Sequence, residues 1–251
     1  MRNLEISVAS EVCLRLNNAV FGWCLRQSQR CLMRHDAERA AQWALLAARS
    51  AAAFGYRQLA SPELEAQLLQ IARVVPGSMP PVRQPTRRRR WLHVLSESYA
   101  VGGHTALATR WIHLDPDQNQ HSIVLTFQEA HNASAELSGA AKSTGGQVFS
   151  LGTCDPLLVR AARLRELAWD GFDCLVLHTH MWDVVPGIAL GVSGGPPVLL
   201  LNHASHMFWV GGSVADLVLN IRASGQHFSA YYRGITRNFH LPIAHSFAEP
   251  C

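Results

Sequence analysis

Six short apolar runs follow one another between residues 92 and 222, and polar turns or helical patterns separate them. This alternation constrains the fold more than any other feature. The runs are Leu92–Ser96, Ser122–Phe127, Gln147–Leu151, Asp173–His178, Pro197–Asn202 and Asp216–Arg222. Helical patterns fill the gaps at Thr105–His113, Ala130–Lys142, Pro156–Trp169 and Val184–Val192. Asp155 is placed to cap the third of these helices and Gly171 to end it. The strands read as unbroken apolar stretches, which suits strands covered on both faces. Regular β-α alternation therefore predicts an α/β fold with a doubly wound, mostly parallel sheet. Such sheets bind ligands in the crevice beyond the carboxyl ends of their strands.

The chain upstream has a different character. Residues 1–75 read as helix throughout: Ala37–Arg49 is rich in strong helix formers with apolar residues at helical spacing. Gly55 marks one helix end. Ser61 followed by Pro62 marks the next start, as N-cap and first helical residue. Residues 76–90 carry four prolines and end in Arg87–Arg90, a composition that cannot build a core. The expected organisation is a helical extension over 1–75, a linker over 76–90 and an α/β domain over 91–251.

Composition excludes several function classes. The net charge of +4 is contributed entirely by Arg87–Arg90, so no nucleic-acid partner is expected. No apolar run approaches the roughly 18 residues of a membrane span. The N-terminus carries Glu5 and Glu11 and no continuous apolar segment, so a cytoplasmic location is expected. None of the six cysteines forms a C-x-x-C pair, which suits reduced thiols better than a disulfide framework.

Polar residues gather where the sheet would bind its ligand. The first strand leads through Ser96-Glu97-Ser98 into Gly102-Gly103-His104, the fourth into His178-Thr179-His180, and the fifth into Asn202-His203-Ala204-Ser205-His206. Gly102 and Gly103 allow positive φ and close approach of a ligand, and the helix behind them offers free N–H groups to an anion. His178, His180, His203 and His206 could ligate zinc. However, Trp182 and Asp183 break the His-x-His-x-Asp-His pattern that a metal-dependent hydrolase of the metallo-β-lactamase kind would show. Nucleophilic catalysis lacks a G-x-S-x-G elbow, and neither a Walker motif nor G-x-G-x-x-G is present. Group transfer from a nucleotide-activated donor needs no covalent nucleophile, only a phosphate site and polar groups near the reacting centre.

The strand–Gly-Gly–helix opening, Val176-Leu-His-Thr-His180 and Leu199-Leu-Leu-Asn-His-Ala-Ser-His-Met-Phe-Trp-Val-Gly211 together resemble the N-terminal half of GT-B glycosyltransferases. The likeness is to the bacterial group 1, family 4-like class, and it covers about residues 91–245. It implies a Rossmann-like acceptor-side domain and transfer of a sugar from a nucleotide-sugar to a hydroxyl acceptor, without a metal or other cofactor. By the same resemblance, Gly102, Gly103 and His104 would lie near the donor phosphates. His180, His203 and His206 would be the proton-handling or hydrogen-bonding groups, and Asn202 would contact substrate. The family's second, donor-binding domain has no counterpart before Cys251. This chain is accordingly expected to be weakly active or inactive alone and to work with a separate C-terminal half. A non-catalytic α/β binding or assembly module is the alternative reading.

Overall fold

A computed structural model describes residues 2–56, 58–77 and 88–242, with side chains from residue 11 onward. Three helices come first: α1 (Arg2–Met33), α2 (Ala37–Phe54) and α3 (Pro62–Ala72). Asp36 caps α2 by accepting the Arg39 N–H at 3.1 Å, and Ser61 caps α3 by accepting the Leu64 N–H at 3.2 Å. Gly55, with φ of 80°, ends α2 in a backbone conformation that favours glycine. The face of α2 turned inward is almost purely alanine, from Ala40 to Ala52. Side chains this small let α1 lie close against it.

Seven parallel strands follow. They are β1 (Arg90–Leu95), β2 (Gln120–Leu125), β3 (Val148–Ser150), β4 (Cys174–Leu177), β5 (Val198–Asn202), β6 (Leu217–Asn220) and β7 (Asn238–His240). Their spatial order is β3-β2-β1-β4-β5-β6-β7, so the fold is α/β, doubly wound and Rossmann-like, as expected. The connecting helices are α4 (Gly103–Leu114), α5 (Ala135–Ser143), α6 (Leu157–Gly171), α7 (Val185–Leu190) and α8 (Ala223–Arg233). Leu95, Ile123 and Leu125 meet α4 and α5 on one face, through Ala108, Ile112 and Leu137. Leu92, Val94, Val124, Leu175 and Leu177 point to the opposite face, under α6 and α7.

The helical segment 1–75 belongs to this second face. Phe21, Leu64, Leu68 and Ile71 share one continuous core with Leu164, Leu175 and Ile188. Each of these large side chains contributes roughly 1.5–3 kcal/mol by leaving water. Polar ties cross the same boundary. Glu38 of α2 accepts the Leu157 and Leu158 N–H groups at 3.0 and 2.9 Å, capping α6 from 119 and 120 residues away. Asp155, expected in that role, pairs with Arg163 instead. Glu65 of α3 accepts the Gly211 and Gly212 N–H groups at 2.7 and 3.2 Å. Arg165 of α6 is buried and donates to four carbonyls: Ala189 at 2.7, Val75 at 2.5, Ala72 at 2.8 and Ile188 at 3.1 Å. It thus gathers the carboxyl ends of α3 and α7 around one guanidinium.

Other differences from the sequence expectation are local. The helix predicted from Ala130 breaks into a 3-10 turn, Ala130–Asn132, followed by α5. Of the expected linker, residues 78–87 lie outside the described residues. Arg88 already belongs to the sheet domain and donates to Gln118 and Thr144 carbonyls at 2.6 and 2.7 Å. On the α4 side, a groove of about 610 Å³ runs past Trp91, Trp111, Leu201, Leu219 and Phe239. Among the described residues no helix is long and apolar enough to cross a membrane.

Candidate active site at the switch point

Strand order reverses between β1 and β4, the point at which such sheets bind ligands, and a small crevice of about 20 Å³ opens at the carboxyl ends of β4 and β5, lined by Thr179, His180, Asn202 and His203. The loops leaving β1, β4 and β5 bring Glu97, Tyr99, His104, His180 and His203 together at this point. The His104 ring lies 5.3 Å from that of His180 and 5.9 Å from that of His203, centroid to centroid. Tyr99 stacks on His180 at 6.3 Å and donates its hydroxyl to Glu97. The Glu97 carboxylate also stands 3.8 Å from His180 Nδ1.

Buried polar groups beneath the crevice set these positions. Asp183, 2% exposed, accepts the Ser96 hydroxyl at 2.6 Å and that of Thr126, as well as the Val185 N–H. Ser96 Oγ in turn accepts the His180 N–H at 2.8 Å, which fixes the backbone where His180 leaves β4. Gln128 joins the loops after β1 and β2, accepting the Ser98 N–H at 2.7 Å and donating to the Ser98 carbonyl at 3.1 Å.

The tautomers of two rings follow from their partners, because a carbonyl can only accept. His104 donates Nε2–H to the Glu97 carbonyl at 2.9 Å, so its Nδ1 carries a lone pair. His203 donates Nδ1–H to the Leu201 carbonyl at 3.4 Å, so its Nε2 carries one. Burial, reinforced by His104 and His180, pushes His203 down to about 4. Burial and His104 also lower His180, against the opposing pull of Glu97. The Glu97 hydrogen bond, with lesser help from burial, pushes the Tyr99 phenol up to about 12. Near pH 7 His180 and His203 are therefore neutral imidazoles that accept hydrogen bonds or a proton, with Tyr99 as a firm donor.

Gly102 and Gly103 open α4 at the edge of this group. Gly102 has φ of 178°, ordinary extended backbone, and Gly103 is the first helical residue, so neither uses the left-handed region that the sequence reading allowed for. What they supply is space: a Cβ on Gly103 would meet nothing within 4 Å. No side chain caps α4, so its first N–H groups are open to an anion.

The remaining sequence candidates separate. His206 is exposed and lies outside the group of packed rings. Asn202 is buried and donates to Asn220 Oδ1 at 2.8 Å, while Asn220 donates to Asn238 Oδ1 at 3.1 Å. This asparagine ladder ties β5, β6 and β7 together. His178 is fully buried behind the crevice. Among the described residues no three His, Cys, Asp or Glu side chains are arranged to hold a metal ion.

Sequence reasoning did not single out Glu97 and Tyr99 as site residues. Their one signal was their position just after the first strand. Compared with known proteins, the chain matches no protein-family model and no curated protein.

Proposed function

We propose that this chain is the acceptor-side domain of a glycosyltransferase, and that its switch-point crevice handles transfer of a sugar from a nucleotide-sugar to a hydroxyl. The observation that carries this reading is the group His104, His180 and His203 beside the open amino end of α4. In this reading the diphosphate lies against Gly102, Gly103 and the α4 N–H groups, where the helix dipole favours negative charge. The neutral rings accept hydrogen bonds from sugar and acceptor hydroxyls. His203 or His180 takes the proton of the attacking hydroxyl as its oxygen bonds to the anomeric carbon and the nucleoside diphosphate departs. Neither residue needs a metal for this role.

The test is calorimetric titration of the purified protein with UDP-glucose and GDP-mannose, followed by transfer of labelled sugar to hydroxyl acceptors with a donor-binding C-terminal half supplied in trans. Saturable binding is expected for one of them. His203→Ala should cut transfer at least about ten-fold, the low end of a general acid–base contribution, with an unchanged melting temperature. Gly103→Val should weaken binding by filling the space reserved for phosphate. Absence of saturable binding by both nucleotide-sugars overturns the reading.

A further inference from the structure

Behind the crevice, a row of buried side chains crosses the sheet from β2 through β1 to β4. Asp115 Oδ2 lies 3.0 Å from His121 Nε2. His121 Nδ1 lies 2.9 Å from His93 Nε2, and His93 Nδ1 lies 3.0 Å from His178 Nε2. All three rings have 0% exposure. They lie beside Trp91 and Trp111, with Trp91 stacked on His121 and Trp111 edge-on to His93 and His178. His178 Nδ1, at the end of the row, has no hydrogen-bond partner among the described residues.

The direction of the row is determined at one end. An ionised carboxylate only accepts, so His121 must donate Nε2–H to Asp115. A neutral ring then has Nδ1 free to accept, so His93 must donate Nε2–H to His121. By the same argument His178 donates Nε2–H to His93. Its unpartnered Nδ1 is thereby left as a lone pair. A buried polar atom without a partner is rare and calls for an explanation.

We propose that Asp115 sets the tautomer of His178 through His121 and His93, so that a bare acceptor nitrogen is held at the buried carboxyl end of β4. Asp115 is thus a positioning residue on the opposite side of β1 from β4.

The test is nitrogen NMR of the full chain labelled at histidine, which separates N–H from bare ring nitrogens. In the wild-type protein His93, His121 and His178 should all be Nε2–H tautomers with bare Nδ1. Asp115→Ala removes the acceptor that sets the direction, and the His178 Nδ1 resonance should then shift toward the N–H range together with those of His93 and His121. Asp115→Glu should restore the wild-type pattern. A wild-type row with any other set of tautomers overturns the proposal, whether or not the alanine variant folds. So does a folded Asp115→Ala protein whose His178 signal is unchanged. These spectra need no substrate, so failure of the tautomer assignment and failure of nucleotide-sugar binding are read separately.

Discussion

Replacing Arg165 with methionine should weaken the fold more than any other single surface-to-core polar change described above. The guanidinium donates to four carbonyls at the carboxyl ends of α3 and α7, and it is 2% exposed. Hydrogen bonds to a charged group each contribute about 1.5–3 kcal/mol. Desolvation of the guanidinium, which also lowers its pKa, offsets several kcal/mol of that sum. Methionine refills much of the volume but takes the guanidinium donor from four carbonyls, of which Ala72 keeps the Val75 N–H at 3.3 Å, and they include last-turn carbonyls that a cation favours. The expected loss is about 3–5 kcal/mol, the usual range for breaking a buried ionic network. Urea unfolding followed by far-UV circular dichroism measures it. With an m-value of about 3 kcal/mol/M, the midpoint should fall by roughly 1–1.7 M at unchanged m. Arg165→Lys should fall between the two proteins, because a single ammonium cannot span carbonyls on two helices. A methionine variant within about 1 kcal/mol of wild type would refute the reasoning, and would mean that the surrounding apolar core alone joins α3, α6 and α7.

Three further outcomes follow from the structure. Glu38→Ala removes the cap that α2 supplies to α6, and thermal unfolding should register a loss of about 1–2 kcal/mol. Gly146→Ala would place a Cβ 1.7 Å from the His121 carbonyl. The turn before β3 must then move, at a cost of at least about 2 kcal/mol, whereas Gly103→Ala should be nearly neutral in the same melt. Burial first, then His203 and His104, hold His178 down at about 3, against about 6.5 in an unfolded chain. The unfolded state therefore binds the extra proton between those values, and this stability is present above pH 6.5 and lost as pH falls toward 3. Unfolding free energies from urea titrations between pH 6 and 4 should decline by roughly 1.4 kcal/mol per pH unit on account of this ring, and His178→Phe should remove that part of the slope.

The five inner strands were legible because both their faces are largely covered, leaving mostly apolar runs, and the short edge strand β3 was legible from its place in the alternation. Ser61 and Pro62 were legible because their capping is local. Two elements at the end of the sheet were not. In α8 the residues turned inward are Gly225 and Ser229, while Tyr231 and Tyr232 are exposed, so the hydrophobic pattern runs opposite to the burial. β7 is three residues long and places Phe239 in solvent. The histidines after β4 and β5 were found because strand ends can be located in sequence. His93, inside the expected first strand, and His121, one residue before the expected second, drew no functional reading from the sequence. Their link depends on register, with Trp91 opposite His121 and His93 opposite Ile123, and no local pattern encodes that. The cap on α6 was assigned to the nearest carboxylate, Asp155, when the partner is Glu38, 119 residues away in sequence.

The shared core has a consequence during synthesis. The three amino-terminal helices leave the ribosome first, yet Leu64, Leu68 and Ile71 find their cover on α6, α7 and the strands beneath. Glu65 meets its partner Gly211 only after 146 more residues have been made. At about 5–20 residues per second that interval lasts roughly 7–30 seconds. Until α6 and α7 follow, the helices carry an apolar face with little to rest on, and that is the surface a holding chaperone would bind.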